Sequence, residues 1–238
     1  MTNKLTISVH QPAYMPWMGY IDRIRKSDIF VFLDNVQFEK NSFINRNKIK
    51  TQSSVNWLTV PVKLKGHMSS IITDTLISND MNWRNNHILK IESSYSKGQY
   101  FKQNKIKLHD LLNGSEKLIS ELCFNHLNFW ITEFNIKTKI IRASELKLEQ
   151  KKSDLILELC QSLGATNYLS GPLGETYLNK TSFDESRIEI EYHKFTDPLY
   201  NQLWGDFIPN LSIIDCWMNC GREKLIKYYA SNEQWTNL

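Results

Sequence analysis

The stretch VHQPAYMPWMGYIDRIRKSDIFVFLD, Val9 to Asp34, decides the fold. The β-rich run KLTISVH, Lys4 to His10, stops at the loop QPAYMP, where two prolines forbid both a continued strand and the interior of a helix. In WMGYIDRIRKS the residues Trp17, Tyr20, Ile21 and Ile24 recur at helical spacing, so a helix follows the loop. DIFVFLD is then a continuous apolar run, the pattern of a parallel strand covered on both faces. The chain therefore opens as strand, helix and strand, and each strand ends on an ionisable residue, His10 or Asp34.

Working outward, NSFINRNKIKTQSSVNWLTVPVKLK holds two β-like runs around the turn-prone QSS, which predicts a hairpin overhanging the sheet. From Asp80 to about Asn135 the pattern is helical, with NGS as a break. Alternation then resumes. IKTKIIRAS reads as a strand, and KKSDLILELCQSLGA as a helix capped by Ser153 and stopped by Gly164. TNYLSG is a short strand ending at Gly171, and IEIEYHKF alternates in period two like an edge strand. FIPNLSIIDCWMNCG is an apolar helix that Gly221 should terminate. The expected fold is α/β: a single domain over residues 1–238 with a mostly parallel, Rossmann-like sheet, a β-hairpin excursion and a helical insertion at about 80–135.

Composition fits that reading. Hydrophobic residues make up 41% and charged residues 23% of the 238, which excludes disordered, collagenous and coiled-coil classes and leaves enough chain for a substantial core. The chain has 7 Trp, 10 Tyr and 11 Phe, rings that fill cores and also line pockets. A net charge of +4 with scattered lysines demands no nucleic acid; it suits either a solvated face or an anionic ligand. Cys123, Cys160, Cys216 and Cys220 form no CxxC pair, and Cys216 and Cys220 fall on one face of a helix, as buried thiols in a reducing compartment do. No signal-peptide pattern and no run of about 20 apolar residues occurs, so the expectation is a cytoplasmic protein without membrane insertion.

In an open parallel sheet, ligands bind at the carboxyl ends of the strands, where strand order reverses. The strand-ending residues are His10, Asp34, Arg142 with Ser144, and Ser170 with Gly171. His10 can exchange a proton near neutral pH, with Asp34 as its orienting partner; alternatively the His meets a backbone carbonyl and the Asp caps a turn. The hairpin set Asn45, Arg46, Asn47 and Lys48 offers donors for a phosphate or sugar, or else only decorates an exposed hairpin. YLSGPLGETYL resembles a glycine-bearing strand-to-helix turn but is neither a Walker sequence nor G-x-G-x-x-G. His67, His87, His109, His126 and His193 lack ligand spacing, so no metal site is expected. Asp215 inside an apolar helix reads as a satisfied core carboxylate, and no serine or cysteine sits in a nucleophile motif.

Together HQPAYMPWMGYIDRI, SDIFVFLDNVQFEKNSFINRNKIKT, WLTVPVK, NWRNNH, SYSKGQYF, ATNYLSGPLGETYL and FIPNLSIIDCWMNCG resemble the WbqC-like proteins, from about Ile7 to Gly221. The resemblance implies a role in bacterial O-antigen and other surface-polysaccharide biosynthesis. It further implies transfer of an acyl or aminoacyl group, glycyl for example, onto the amino group of a nucleotide-linked amino sugar. The donor would be the phosphopantetheine thioester of an acyl carrier protein, with no tightly bound cofactor. On that reading His10 is the base and Asp34 its partner. Gln11, Ser170 and Gly171, with Asn45, Arg46, Asn47 and Lys48, contact substrate or oxyanion, and Tyr14, Trp17 and Tyr20 stack on a base or sugar face. Two rivals stand beside it: an ATP-dependent nucleotidyltransferase-like enzyme, whose second motif histidine is missing because His10 is the sole histidine before His67, and a noncatalytic glycan-precursor-binding or scaffold protein.

Overall fold

The computed structural model describes residues 4–63, 70–79, 81–231 and 237–238; His67 and Asp80 lie outside the described residues. In chain order come β1 (Thr6–His10), α1 (Met18–Arg25), β2 (Ile29–Phe32), β3 (Arg46–Lys50), β4 (Val55–Thr59), β5 (Val62–Lys63) and β6 (Leu76–Ile77). Helices α2 (Trp83–Tyr95), α3 (Phe101–Leu112) and α4 (Ile119–Glu133) follow. The chain then runs through β7 (Lys139–Arg142), α5 (Lys152–Ser162), β8 (Asn167–Ser170), α6 (Lys180–Glu185), β9 (Glu189–Tyr192) and α7 (Ile213–Ala230). These elements form two compact units interleaved in sequence. Unit 1 takes the residues up to Gln11, Asp22–Asn35 and Lys137–Thr196; unit 2 takes Pro12–Ile21, Val36–Ile136 and the residues from Asp197 on.

Unit 1 is built on a parallel five-stranded sheet in the order β7-β2-β1-β8-β9. The register sets His10 beside Phe32, Phe32 beside Arg142, and Ser170 beside Tyr192. The three inner strands are buried along nearly their whole length, while β7 and β9 are more exposed, as edges are. That is the reason DIFVFLD is continuously apolar and IEIEYHKF alternates. Ile7, Phe30, Phe32, Leu159, Tyr168 and Phe183 fill the core. The fold is Rossmann-like α/β.

Unit 2 joins the antiparallel β3–β4 hairpin to a helical core. Trp130 and Trp217 meet edge to face with centroids 5.2 Å apart, and Phe134 stacks on Trp130 at 5.6 Å. Asp215 is the satisfied core carboxylate expected: it accepts from the Tyr95 and Tyr200 hydroxyls, each at 2.8 Å, and burial raises its pKa. Cys216 and Cys220 are both buried and unbridged. Among the described residues no helix is long and apolar enough to cross a membrane.

Two helix boundaries differ from expectation. Ser153 does not cap α5, which begins after Lys151; its hydroxyl oxygen instead accepts the Asn179 amide at 2.9 Å. Gly164 does stop α5, at φ 72°. Gly221 breaks the helical path, with φ 78° and ψ 168°, but α7 resumes beyond it because Leu225, Tyr228 and Tyr229 have an apolar face to bury.

The two glycines make a matched pair for testing. A Cβ at Gly221 would run into the Tyr100 ring, and its backbone lies in a region nearly closed to other residues, whereas nothing stands near a Cβ at Gly164. Gly164→Ala is expected to cost about 1 kcal/mol. Gly221→Ala should cost more, about 1–3 kcal/mol from the backbone alone, read as a larger drop in urea midpoint at unchanged m value.

Candidate functional site

Leaving β1, the chain adds β2 and then β7 on one side before returning to place β8 and β9 on the other. The reversal falls between β1 and β8, and their carboxyl ends are where an open parallel sheet is expected to take a ligand. Four of the expected residues fall there: His10 ends β1 and Gln11 follows it, and Ser170 ends β8 and Gly171 follows it.

His10 is partly buried, and its Nδ1 lies 2.8 Å from the Gln11 carbonyl oxygen. A carbonyl only accepts, so Nδ1 carries the proton and the lone pair of the neutral ring sits on Nε2. Burial and then the neighbouring Arg23 charge push the His10 pKa down to about 3, against the opposing pull of the Gln11 carbonyl. His10 is neutral at pH 7. The sequence left His10 between Asp34 and a backbone carbonyl as its partner; the structure places the Gln11 carbonyl at Nδ1.

Arg23 is the residue that sequence reasoning missed. It is buried in the last turn of α1, where Nη2 donates to the Val9 carbonyl at 3.3 Å. Nη1 packs against Gly171 so closely that a Cβ there would stand 2.5 Å away. Gly171 has an ordinary φ of −68°, so a side chain there would meet no torsional bar and would instead press on the end of Arg23. The available signal was an arginine three residues after Tyr20, on the apolar stripe of α1. Beside it, buried Asp22 takes His193 Nε2 at 2.7 Å, Arg25 Nε at 2.7 Å and Lys26 Nζ at 2.9 Å. Burial alone would raise the Asp22 pKa, but these partners hold it down to about 2.

Asp34 is fully buried and serves the β2–β7 pair. Oδ2 accepts from Arg142 Nε at 2.8 Å and Ser144 Oγ at 2.9 Å, and Oδ1 accepts the Ser144 amide at 2.9 Å. Arg142 and Ser144 were legible as strand ends, but not as the partners of Asp34. Ser170 is buried, and its hydroxyl donates to the Gly171 carbonyl at 3.1 Å.

The remaining expected residues belong to unit 2, where burial redistributes their roles. Tyr14 is fully buried, its hydroxyl lies 2.8 Å from His87 Nδ1, and its ring lies against Trp83 and His126, so stacking on a ligand is closed to it. Tyr20 is buried as well, and Trp17 is partly exposed between Tyr20 and Phe43. Asn45 donates to the Val60 carbonyl at 2.9 Å and Asn47 to the Met15 carbonyl at 2.7 Å; both are buried and hold backbone. Arg46 and Lys48 point to the other, partly exposed face. The four-residue hairpin set is thus two structural amides and two surface cations.

Comparison with known proteins agrees over most of the chain. Residues 11–227 match the WbqC-like protein family. The chain is 34% identical over 221 residues to an uncharacterized protein of Mycobacterium tuberculosis, Rv1507c, an alignment that spans 91% of this chain and 94% of the relative. No solved structure matches it.

Three buried rings make the fold acid-sensitive. Burial lowers the pKa of His10 to about 3 and those of His87 and His126 to about 4; Glu116 raises and Arg84 lowers the last. Below pH 6.5 the unfolded chain charges these rings while the folded chain keeps them neutral, so the unfolded state binds more protons and stability falls as pH drops. Each ring contributes a slope of up to about 1.4 kcal/mol per pH unit. Urea titrations between pH 6.5 and 4.5 should show the loss, and His126→Phe should flatten the slope by one ring's share.

Proposed function

This chain belongs to the WbqC-like protein family, and from that premise we propose that it is a transferase placing an acyl or aminoacyl group on the amino group of a nucleotide-linked amino sugar. The observation that supports this reading most is the pairing of a neutral, tautomer-fixed histidine with a buried arginine at the strand-order reversal of a Rossmann-like sheet. An arginine there suits the pyrophosphate of the acceptor, and the imidazole suits proton transfer at the amine.

The chemistry follows from those two groups. The amine lone pair attacks the thioester carbonyl of a carrier protein's phosphopantetheine arm, the carbon–sulfur bond breaks, and the amide forms. The ammonium proton passes to His10 Nε2 and from there to the departing thiolate. Because the Arg23 charge helps hold the His10 pKa down, a phosphate seated on Arg23 offsets that charge and raises the basicity of the ring. The base is thereby strengthened by the acceptor that needs it. In this scheme Asp34 is a positioning residue: it ties the ends of β2 and β7 together. The cellular setting in this reading is surface-polysaccharide biosynthesis in the cytoplasm.

A second reading, ATP-dependent nucleotidyl transfer, draws on the same histidine at the end of the central strand. Thermal-shift panels separate the two. A ligand at about 100 times its Kd adds roughly 2.7 kcal/mol, so nucleotide-linked amino sugars should raise Tm by several degrees more than ATP with magnesium or a free nucleotide does. With the acceptor so identified, His10→Ala should lower turnover about 10²–10⁴-fold with Tm close to the parent's. An unchanged rate removes His10 from the mechanism.

A further inference from the structure

The reading of unit 1 leaves one face of the unit 2 hairpin unused. In the β3–β4 register Lys48 stands opposite Trp57 and Arg46 opposite Thr59, so these four share a face, while Asn47 and Leu58 lie buried on the reverse. Lys50, next along the same face of β3, is buried and spends its charge on the Gly205 and Asp206 carbonyls. Trp57 is 38% exposed and Phe43 41%, with ring centroids 6.0 Å apart. Trp17 extends the row, 5.3 Å from Phe43.

Arg46 is the informative member. Its guanidinium lies 4.3 Å over the Trp57 ring. Its Nε is buried with no hydrogen-bond partner, and among the described residues no carboxylate pairs with it. A guanidinium nitrogen removed from water ordinarily has an acceptor, because leaving it without one costs the desolvation of a charged group. Lys48 is partly compensated by the field of Asp197, so the uncompensated charge of the patch is Arg46's.

We propose that this face binds a nucleoside phosphate, with the base stacked on the Trp57–Phe43 surface and the phosphate accepting from Arg46 and Lys48. A bare anion would have no use for the exposed rings, and a neutral sugar would leave the Arg46 charge without a counter-charge. Stacking accommodates any base, since each has a π face, so the patch selects for the ring-plus-phosphate combination. The ligand can be a free nucleotide or the nucleotide part of a nucleotide-linked sugar. The inference does not depend on acyl transfer at His10, and it would hold for a noncatalytic chain.

The test is calorimetry on the full chain with UMP, AMP, uridine, inorganic pyrophosphate and UDP-glucosamine. UMP and AMP should bind with similar affinity, and uridine and pyrophosphate at least about tenfold more weakly, since each lacks one half of the recognition. Trp57→Ala should weaken UMP by about 5–150-fold, Trp57→Tyr should retain most of the affinity, and Arg46→Gln should reduce UMP to the level of uridine. Tighter binding of UMP or of UDP-glucosamine assigns the source, and either supports the site when Arg46→Gln and Trp57→Ala weaken it. UMP binding is read without turnover, so a chain that binds UMP through Trp57 and Arg46 but transfers no acyl group fails the transferase reading alone, which keeps that failure distinct from failure of this one. Three results overturn it: no nucleotide binding at millimolar concentration, pyrophosphate binding as tightly as UMP, or parent-like UMP affinity in well-folded Trp57→Tyr, Trp57→Ala and Arg46→Gln variants alike.

Discussion

Parallel pairing of β1 with β2 on one side and β8 on the other is the constraint on which unit 1 depends. A strand buried between two neighbours and under both faces must satisfy every amide through its ladder and every side chain through packing, so polar chemistry is pushed to its end. Parallel neighbours then end at the same edge. His10 and Gln11 meet Ser170 and Gly171 because β1 and β8 run in one direction, and Asp34 meets Arg142 and Ser144 because β2 and β7 do likewise.

Charge is arranged around that edge with unusual economy. Adjacent residues of α1, Asp22 and Arg23, face different partners: the carboxylate gathers His193, Arg25 and Lys26, while the guanidinium reaches the Val9 carbonyl and the space beside Gly171. The carboxylate stays ionised because three donors outweigh its burial, and the neighbouring imidazole stays neutral because burial and Arg23 act in the same direction. A carboxylate, a cation and a neutral base are thus held together without one neutralising the next.

Much of the fold was legible in local patterns. The run DIFVFLD, the alternation in IEIEYHKF and the loop QPAYMP each carry their period or their prolines within a few residues, and the structure has β2, β9 and the β1–α1 loop where those patterns fall. The misreadings share one cause: a partner distant in sequence. Ser153 looks like a cap until the Asn179 amide claims its hydroxyl, Gly221 looks like a stop until Leu225 and Tyr228 find a buried face, and Asp34 looks like a histidine's partner until Arg142 arrives beside Phe32. In the hairpin, period two already separated Asn45 and Asn47 from Arg46 and Lys48; which pair faced inward was settled by the Val60 and Met15 carbonyls.

The sequence by itself determined the α/β class, the strand ends bearing His10 and Asp34, the hairpin and the helical insertion, because apolar periodicity and turn chemistry act over neighbouring residues. Only the tertiary structure decided that Arg23 reaches the ends of β1 and β8, that the Gln11 carbonyl takes His10 Nδ1, that Tyr14 and Tyr20 belong to the core, and that Arg46 lies over Trp57. Those are matters of which strands become neighbours and in what register, and a parallel sheet sets them through crossovers that no short window of sequence contains.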